Sequence, residues 1–178
     1  MTTLTREQVR KLITYDPKTG LCYWRARSVD MFTAGKHSAE HQCNWWNNRF
    51  AGKLAGHFND GYFKIKIFGK NYLAHRIIFL YMMGYWPSND LDHWDVDTEN
   101  NRWLNLRDAT RSQNRANTHA PITNTSGVKG VTALRDRFRA TIQKDGKKIH
   151  IGVFDTKELA GAAYTKKAIE LHGEFARS

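Results

Sequence analysis

Apolar and charged positions alternate most cleanly in GYFKIKIFGKNYLA, where Phe63, Ile65 and Ile67 are interleaved with Lys64 and Lys66. A period of two predicts a half-buried strand, and Gly69 predicts a turn into a second strand near Tyr72, hence a hairpin. The period then changes. HRIIFLYMMGYWP sets Ile77, Leu80 or Tyr81, and Gly84 at helical spacing, with Gly84 and then Pro87 as a stop. Upstream, a short helix is predicted over Thr5 to Ile13, followed by a turn at YDPKTG, Tyr15 to Gly20. Residues 21–60 scatter Trp24, Trp45 and Trp46 among Gly, Asn, His and Arg. With no clean period there, the expectation is irregular structure with short strands.

Downstream of the helix, SNDLDHWDVDTENNRWLNLRDATRSQNRAN has no long apolar run and is dense in Asp, Asn and Arg. Thr110 and Gln113 have the spacing of a capping box, so a helix should start there and present Asn114 and Asn117 on one face. HAPITNTSG, His119 to Gly127, has the composition of a linker. Three strands then follow, Val128–Leu134, Phe138–Gln143 and Ile149–Phe154, with turns at Arg135–Arg137 and Asp145-Gly146. A helix from about Thr156 to His172 is stopped by Gly173. Phe138, Ala140 and Ile142 should pack on that helix, leaving Arg137, Arg139, Thr141 and Gln143 on a polar, basic face.

Composition adds the partner. The chain of 178 residues carries 28 Lys+Arg against 17 Asp+Glu, a formal charge of +11. A field of that sign attracts polyanions, and nucleic acid is the commonest. No stretch reaches the roughly 18 apolar residues of a membrane span, and the N-terminus lacks a signal-peptide apolar region. The expectation is a cytoplasmic protein with no membrane partner, made of one domain or two small ones. Cys22 and Cys43 are too few for a disulfide scaffold and read as free thiols in a polar insert. With His37 and His41 they could supply four zinc ligands, but no Cys-x-x-Cys pair anchors the set.

The segment DHWDVDTENNRWLNL, Asp92 to Leu106, followed by RDATRSQNRAN, resembles the phage-type HNH endonucleases, and YDPKTG…W…AG…GY…AHR resembles their leader. The resemblance implies an α+β fold, a ββα-metal nuclease behind a hairpin-rich N-terminal part. It implies His93 as general base, Asp92 and the Asn114 side-chain oxygen as ligands of one Mg²⁺ or Mn²⁺, and Asn105 as the residue orienting the loop and the His93 ring. His75, Arg76, Arg102 and Arg107 would contact phosphate, with His75 equally able to serve packing alone. Asn117 and His119 compete with Asn114 as ligands. The family's loop often has Asn and Gly where this chain has Asp95 and Val96, so the turn is expected to be made differently. The loop carboxylates Asp95, Asp97 and Glu99 would repel phosphate and are expected to face solvent or pair with Arg102 or Arg107.

Residues 126–178 look like the DNA-binding domain of the Apetala and ethylene-response-factor type, through Gly-Val, Arg-x-x-Ala-x-Ile, Ile-Gly-x-Phe-Asp-Thr, Glu-x-Ala-x-x-Ala-Tyr and a late His-Gly. The sheet tryptophans of the plant domains are missing. This likeness implies a three-stranded antiparallel sheet on one helix, with Arg135, Arg137, Arg139, Thr141 and Lys148 on duplex DNA. The organisation expected is a nuclease region over residues 1–118 with its motif core at 75–118, a linker at 119–126 and a DNA-binding domain over 127–178. The function expected is a homing-type, sequence-targeted, metal-dependent DNA endonuclease, acting as a monomer or a homodimer, since one site makes one nick. Its rivals are a non-catalytic DNA-binding regulator on an HNH scaffold and a protein acting on RNA.

Overall fold

The structure, a computed structural model, describes residues 3–177. It is α+β and divides into two compact units, one of residues 1–88 and 97–106, the other of residues 89–96 and 107–178. Among the described residues no helix is long and apolar enough to cross a membrane.

The first unit opens with α1 (Arg6–Leu12), whose Thr5 cap and Gln8 side chain exchange hydrogen bonds in a capping box. This satisfies backbone N–H groups that the first turn would otherwise leave unpaired. Strands β1 (Ile13–Asp16) and β2 (Leu21–Trp24) form a hairpin around YDPKTG. The turn is tied by Asp16, which accepts from Lys18 N at 2.9 Å and from Thr19 Oγ1 at 2.8 Å. These bonds hold its carboxyl below the usual range, the Lys18 amide contributing most.

Residues 21–60 depart from expectation, because Ala39–Phe50 is a 12-residue helix, α2, capped by Ser38. Its only fully buried side chain is Cys43. The rest of its inner face is aromatic: Trp46 meets Trp24 edge-on at 5.8 Å and Phe50 at 5.3 Å, with the Arg27 guanidinium 3.7 Å above the Trp46 ring. A helix held by rings and a cation carries little aliphatic periodicity. Both cysteines are free thiols as expected, but they are buried instead of lying in a polar insert. Burial pushes the Cys22 thiol up to about 12. His37 and His41 stack on each other at 4.8 Å, and among the described residues no group of three or more His, Cys, Asp or Glu is placed to hold a metal.

Strands β3 (His57–Asn59), β4 (Tyr62–Ile67) and β5 (Lys70–Leu73) form an antiparallel sheet with Ile65 opposite Tyr72. Ile65 and Ile67 point inward onto α3 (Ala74–Met83), which contributes Ile77, Ile78 and Leu80 to the same core as Val9, Leu12 and Ile13. Helix α3 ends at Gly84 as the spacing predicts.

In the second unit β6 (Asp90–His93) pairs with β7 (Leu106–Ala109), and α4 (Arg111–Ala116) follows behind the predicted Thr110–Gln113 capping box. Strands β8 (Val131–Leu134), β9 (Arg137–Lys144) and β10 (Lys147–Phe154) form an antiparallel sheet in the order β10-β9-β8. The first of them starts three residues later than the pattern suggests, because residues 126–130 form a turn in which the Ser126 hydroxyl donates to Val131 O at 2.9 Å and Val131 N to Val128 O at 3.1 Å. Helix α5 (Lys157–His172) lies on this sheet through Ala160, Tyr164 and Ala168, against Ala140 and Ile142. Small residues on the helix let it approach closely. The Lys129 ammonium donates to Ala116 O and Thr118 O, covering carbonyls that the end of α4 leaves open.

Candidate active site

Strand β6 alternates, so Asp90 and Asp92 share one face. Helix α4 answers with two amides. Asn117, at its C-terminal cap, donates Nδ2 to both Asp92 oxygens at 3.0 and 2.9 Å and to His93 O at 2.8 Å. Asn114 brings its Nδ2 to 3.5 Å from Asp90 Oδ2. Asp92 and His93 are only 4% and 5% exposed. A carboxylate that deep needs a countercharge, and Arg107 supplies it, with Nε 2.7 Å from Asp92 Oδ2.

Arg107 is itself clamped. Its guanidinium carbon lies 3.7 Å from the Phe175 ring centre and 4.3 Å from that of Trp94, and its Nη1 donates to Glu174 O at 3.2 Å. Stacking between rings removes most of the freedom of a long side chain, so the Asp92 contact is preformed. Nothing local in the sequence marks Phe175 or Glu174 as neighbours of Asp92. Asn117 could be suspected from its place three residues beyond Asn114.

The turn after His93 runs from His93 O to Val96 N at 2.9 Å, and Val96 has φ 69. The backbone therefore enters the left-handed region at Val96, the position at which the resembled loops often have glycine. For a β-branched residue this is strained. The loop carboxylates Asp95, Asp97 and Glu99 are exposed.

The remaining candidates of the motif lie in the first unit. Asn105 closes a short helical turn and donates Nδ2 to Asn100 O at 2.7 Å. Arg102 donates Nε to Lys18 O at 2.9 Å, Trp103 N donates to Pro17 O, and the buried Tyr15 hydroxyl donates to Asn101 O at 2.9 Å. The YDPKTG turn thus serves as the bed of the Asn-Arg loop. Gly20, at φ 79, makes the fit possible: a Cβ there would lie 2.6 Å from Arg102 N. His75 is buried in the first turn of α3 with Tyr62 edge-on at 5.6 Å, and Arg76 donates to Pro87 O at 3.1 Å.

On the C-terminal sheet Arg135 and Lys148 are exposed and Thr141 is half-buried. Arg137 pairs with Asp155 at 3.0 Å, both well exposed. Arg139 keeps its Nε buried without a hydrogen-bond partner.

The strand-loop-helix arrangement thus buries an Asp-His corner against Asn117, and comparison with known proteins places this segment. Residues 72–116 match the HNH endonuclease family. Protein 3.8 of Escherichia phage T7 is 36% identical over 89 residues, which are 49% of this chain and 73% of that protein. An uncharacterized HNH endonuclease of Acanthamoeba polyphaga mimivirus is 36% identical over 104 residues, 57% of this chain and 54% of its own length. No solved structure gives a significant match. The chain thus carries an HNH endonuclease domain over residues 72–116 and is a relative of the phage T7 protein.

Proposed function

We propose that the protein is a sequence-targeted, divalent-metal-dependent DNA endonuclease of the homing type, acting inside a host cell. The observation that carries this reading is the buried Asp92–His93 corner within the segment that matches HNH endonucleases. His93 takes the proton of the attacking water as general base. Asn105 orients the loop through Asn100 and, by the resemblance, the His93 ring.

Asp92 and the side-chain oxygen of Asn114 would hold one Mg²⁺ or Mn²⁺. Their chemistry fits: both donors are hard oxygens, and Asp92 Oδ1 accepts one N–H, from Asn117, leaving a lone pair. When bound, the ion stabilises negative charge on the phosphate and the leaving oxygen. By the resemblance, His75, Arg76, Arg102 and Arg107 serve as phosphate contacts.

Recognition falls to residues 127–178, the region similar to the Apetala and ethylene-response-factor domain. It follows the nuclease region 1–118, whose motif core is 75–118, through the linker 119–126. Arg135, Arg137, Arg139, Thr141 and Lys148 face double-stranded DNA in this reading. The exposure of Arg135, Arg137 and Lys148 supports it, since exposed cations can meet phosphates or base edges.

The test is cleavage of phage and host duplex DNA with Mg²⁺ or Mn²⁺. Wild type should cut, and His93→Ala should bind without cutting. The Arg107–Asp92 ion pair favours a second reading, a DNA-binding regulator whose carboxylate is neutralised for structure. A wild type that binds duplex DNA and never cuts it selects that reading and sinks the first.

A further inference from the structure

Beside the Asp92 corner the second unit holds an open cleft of about 850 Å³, between α4 and the β9–β10 hairpin. Arg111 and Arg115, four residues apart and so on one helix face, line its α4 wall, and Lys148 of β10 lines the other. All three are exposed, and among the described residues none makes an ion pair. Asp145 is the only acid in the lining.

The walls are fixed to each other at two points. The Asp145 amide donates to Ser112 Oγ at 3.0 Å, joining the hairpin tip to α4. At the other end the Lys129 ammonium, itself part of the lining, is fastened to the carbonyls of Ala116 and Thr118. Three like charges facing one volume repel each other in the free protein, so the cleft is built to be visited by anions. Because its walls are already in place, little ordering cost attends their arrival.

The position of the cleft selects the anion. Helix α4 turns Asn114 and Asn117 toward β6 and, about a quarter turn round its axis, Arg111 and Arg115 toward the cleft. A polyanion leaving the Asp92–His93 corner reaches the cleft after crossing one helix, about 10 Å. We propose that the cleft is a phosphate clamp for the backbone of duplex DNA, in which Arg111, Arg115 and Lys148 hold the strand between the cutting corner and the C-terminal sheet. The assignment rests on the DNA-endonuclease reading for its ligand, and on the cleft for its residues.

The experiment is a fluorescence-anisotropy titration of the full chain on duplex DNA in EDTA, from 50 to 200 mM KCl. Each phosphate contact contributes about 0.9 to the slope of log affinity against log salt. The variant Arg111→Ala/Arg115→Ala/Lys148→Ala should lose about 2.7 of slope, so across that fourfold rise wild type should weaken about 40-fold more than the variant. The exchange Arg111→Lys/Arg115→Lys/Lys148→Arg should keep the wild-type slope. So should Lys157→Ala/Lys166→Ala/Lys167→Ala, which removes the same charge from α5. Lys148→Ala alone, read against a loss of about 0.9, decides the matter should the triple variant fail to fold. An unchanged slope in the cleft variant, or an equal loss in the α5 variant, overturns the clamp while leaving the endonuclease reading in place. A wild type that does not bind duplex DNA overturns both.

Discussion

The two halves of the HNH segment are held by opposite means. The loop of residues 97–106 is held through backbone carbonyls: Arg102 Nε and Trp103 N donate to Lys18 O and Pro17 O, Asn101 O accepts from the Tyr15 hydroxyl, and Gly20 makes room for it. The Asp92–His93 corner rests on side chains, with Asn117 and Arg107 around one carboxylate and Phe175 and Trp94 around Arg107. The first arrangement is insensitive to charge and intolerant of added atoms. The second tolerates changes of shape and fails when a charge is left alone.

This contrast breaks most visibly at Arg107. Arg107→Ala leaves a buried carboxylate without its cation and should cost about 3–5 kcal/mol in denaturant unfolding. A loss below about 1 kcal/mol would show that the corner is not charge-held. Next comes Gly20→Ala, which adds one carbon against the loop backbone at positive φ. About 3 kcal/mol is expected, with the loss unchanged between low and high salt. A salt-dependent loss would contradict the backbone account. Asn117→Ala strips donors from Asp92 and His93 O, and about 2 kcal/mol should go. Val96→Gly should act in the other direction, relieving a strained left-handed residue for a gain of about 1 kcal/mol, or roughly 2–4 °C in melting temperature. A lower melting temperature would mean that Val96 packing outweighs its backbone strain.

What the sequence made legible was what neighbours along the chain decide. The Thr110–Gln113 capping box, the hairpin at Gly69, the stop at Gly84 and the three C-terminal strands are local events, and each lies within a few residues of its expected place. Helix α2 was hidden because its inner face is made of Trp, Phe and a stacked arginine, which carry no aliphatic stripe. The left-handed Val96 was not legible because a turn can impose its φ on a residue that resists it. The Arg107 clamp was out of reach for another reason: Phe175 stands far along the chain from Arg107, and no periodicity links them. Asn117 could be seen as a candidate, but only packing shows which aspartate each asparagine meets.

The Phe175–Arg107–Asp92 stack also sets an order in time. Asp92 leaves the ribosome about 80 residues before Phe175 does, a lag of roughly 4–17 s at ordinary synthesis rates. Until Phe175 emerges, the carboxylate has its asparagine and its arginine but not the ring that steadies them, so the corner is completed only after that interval.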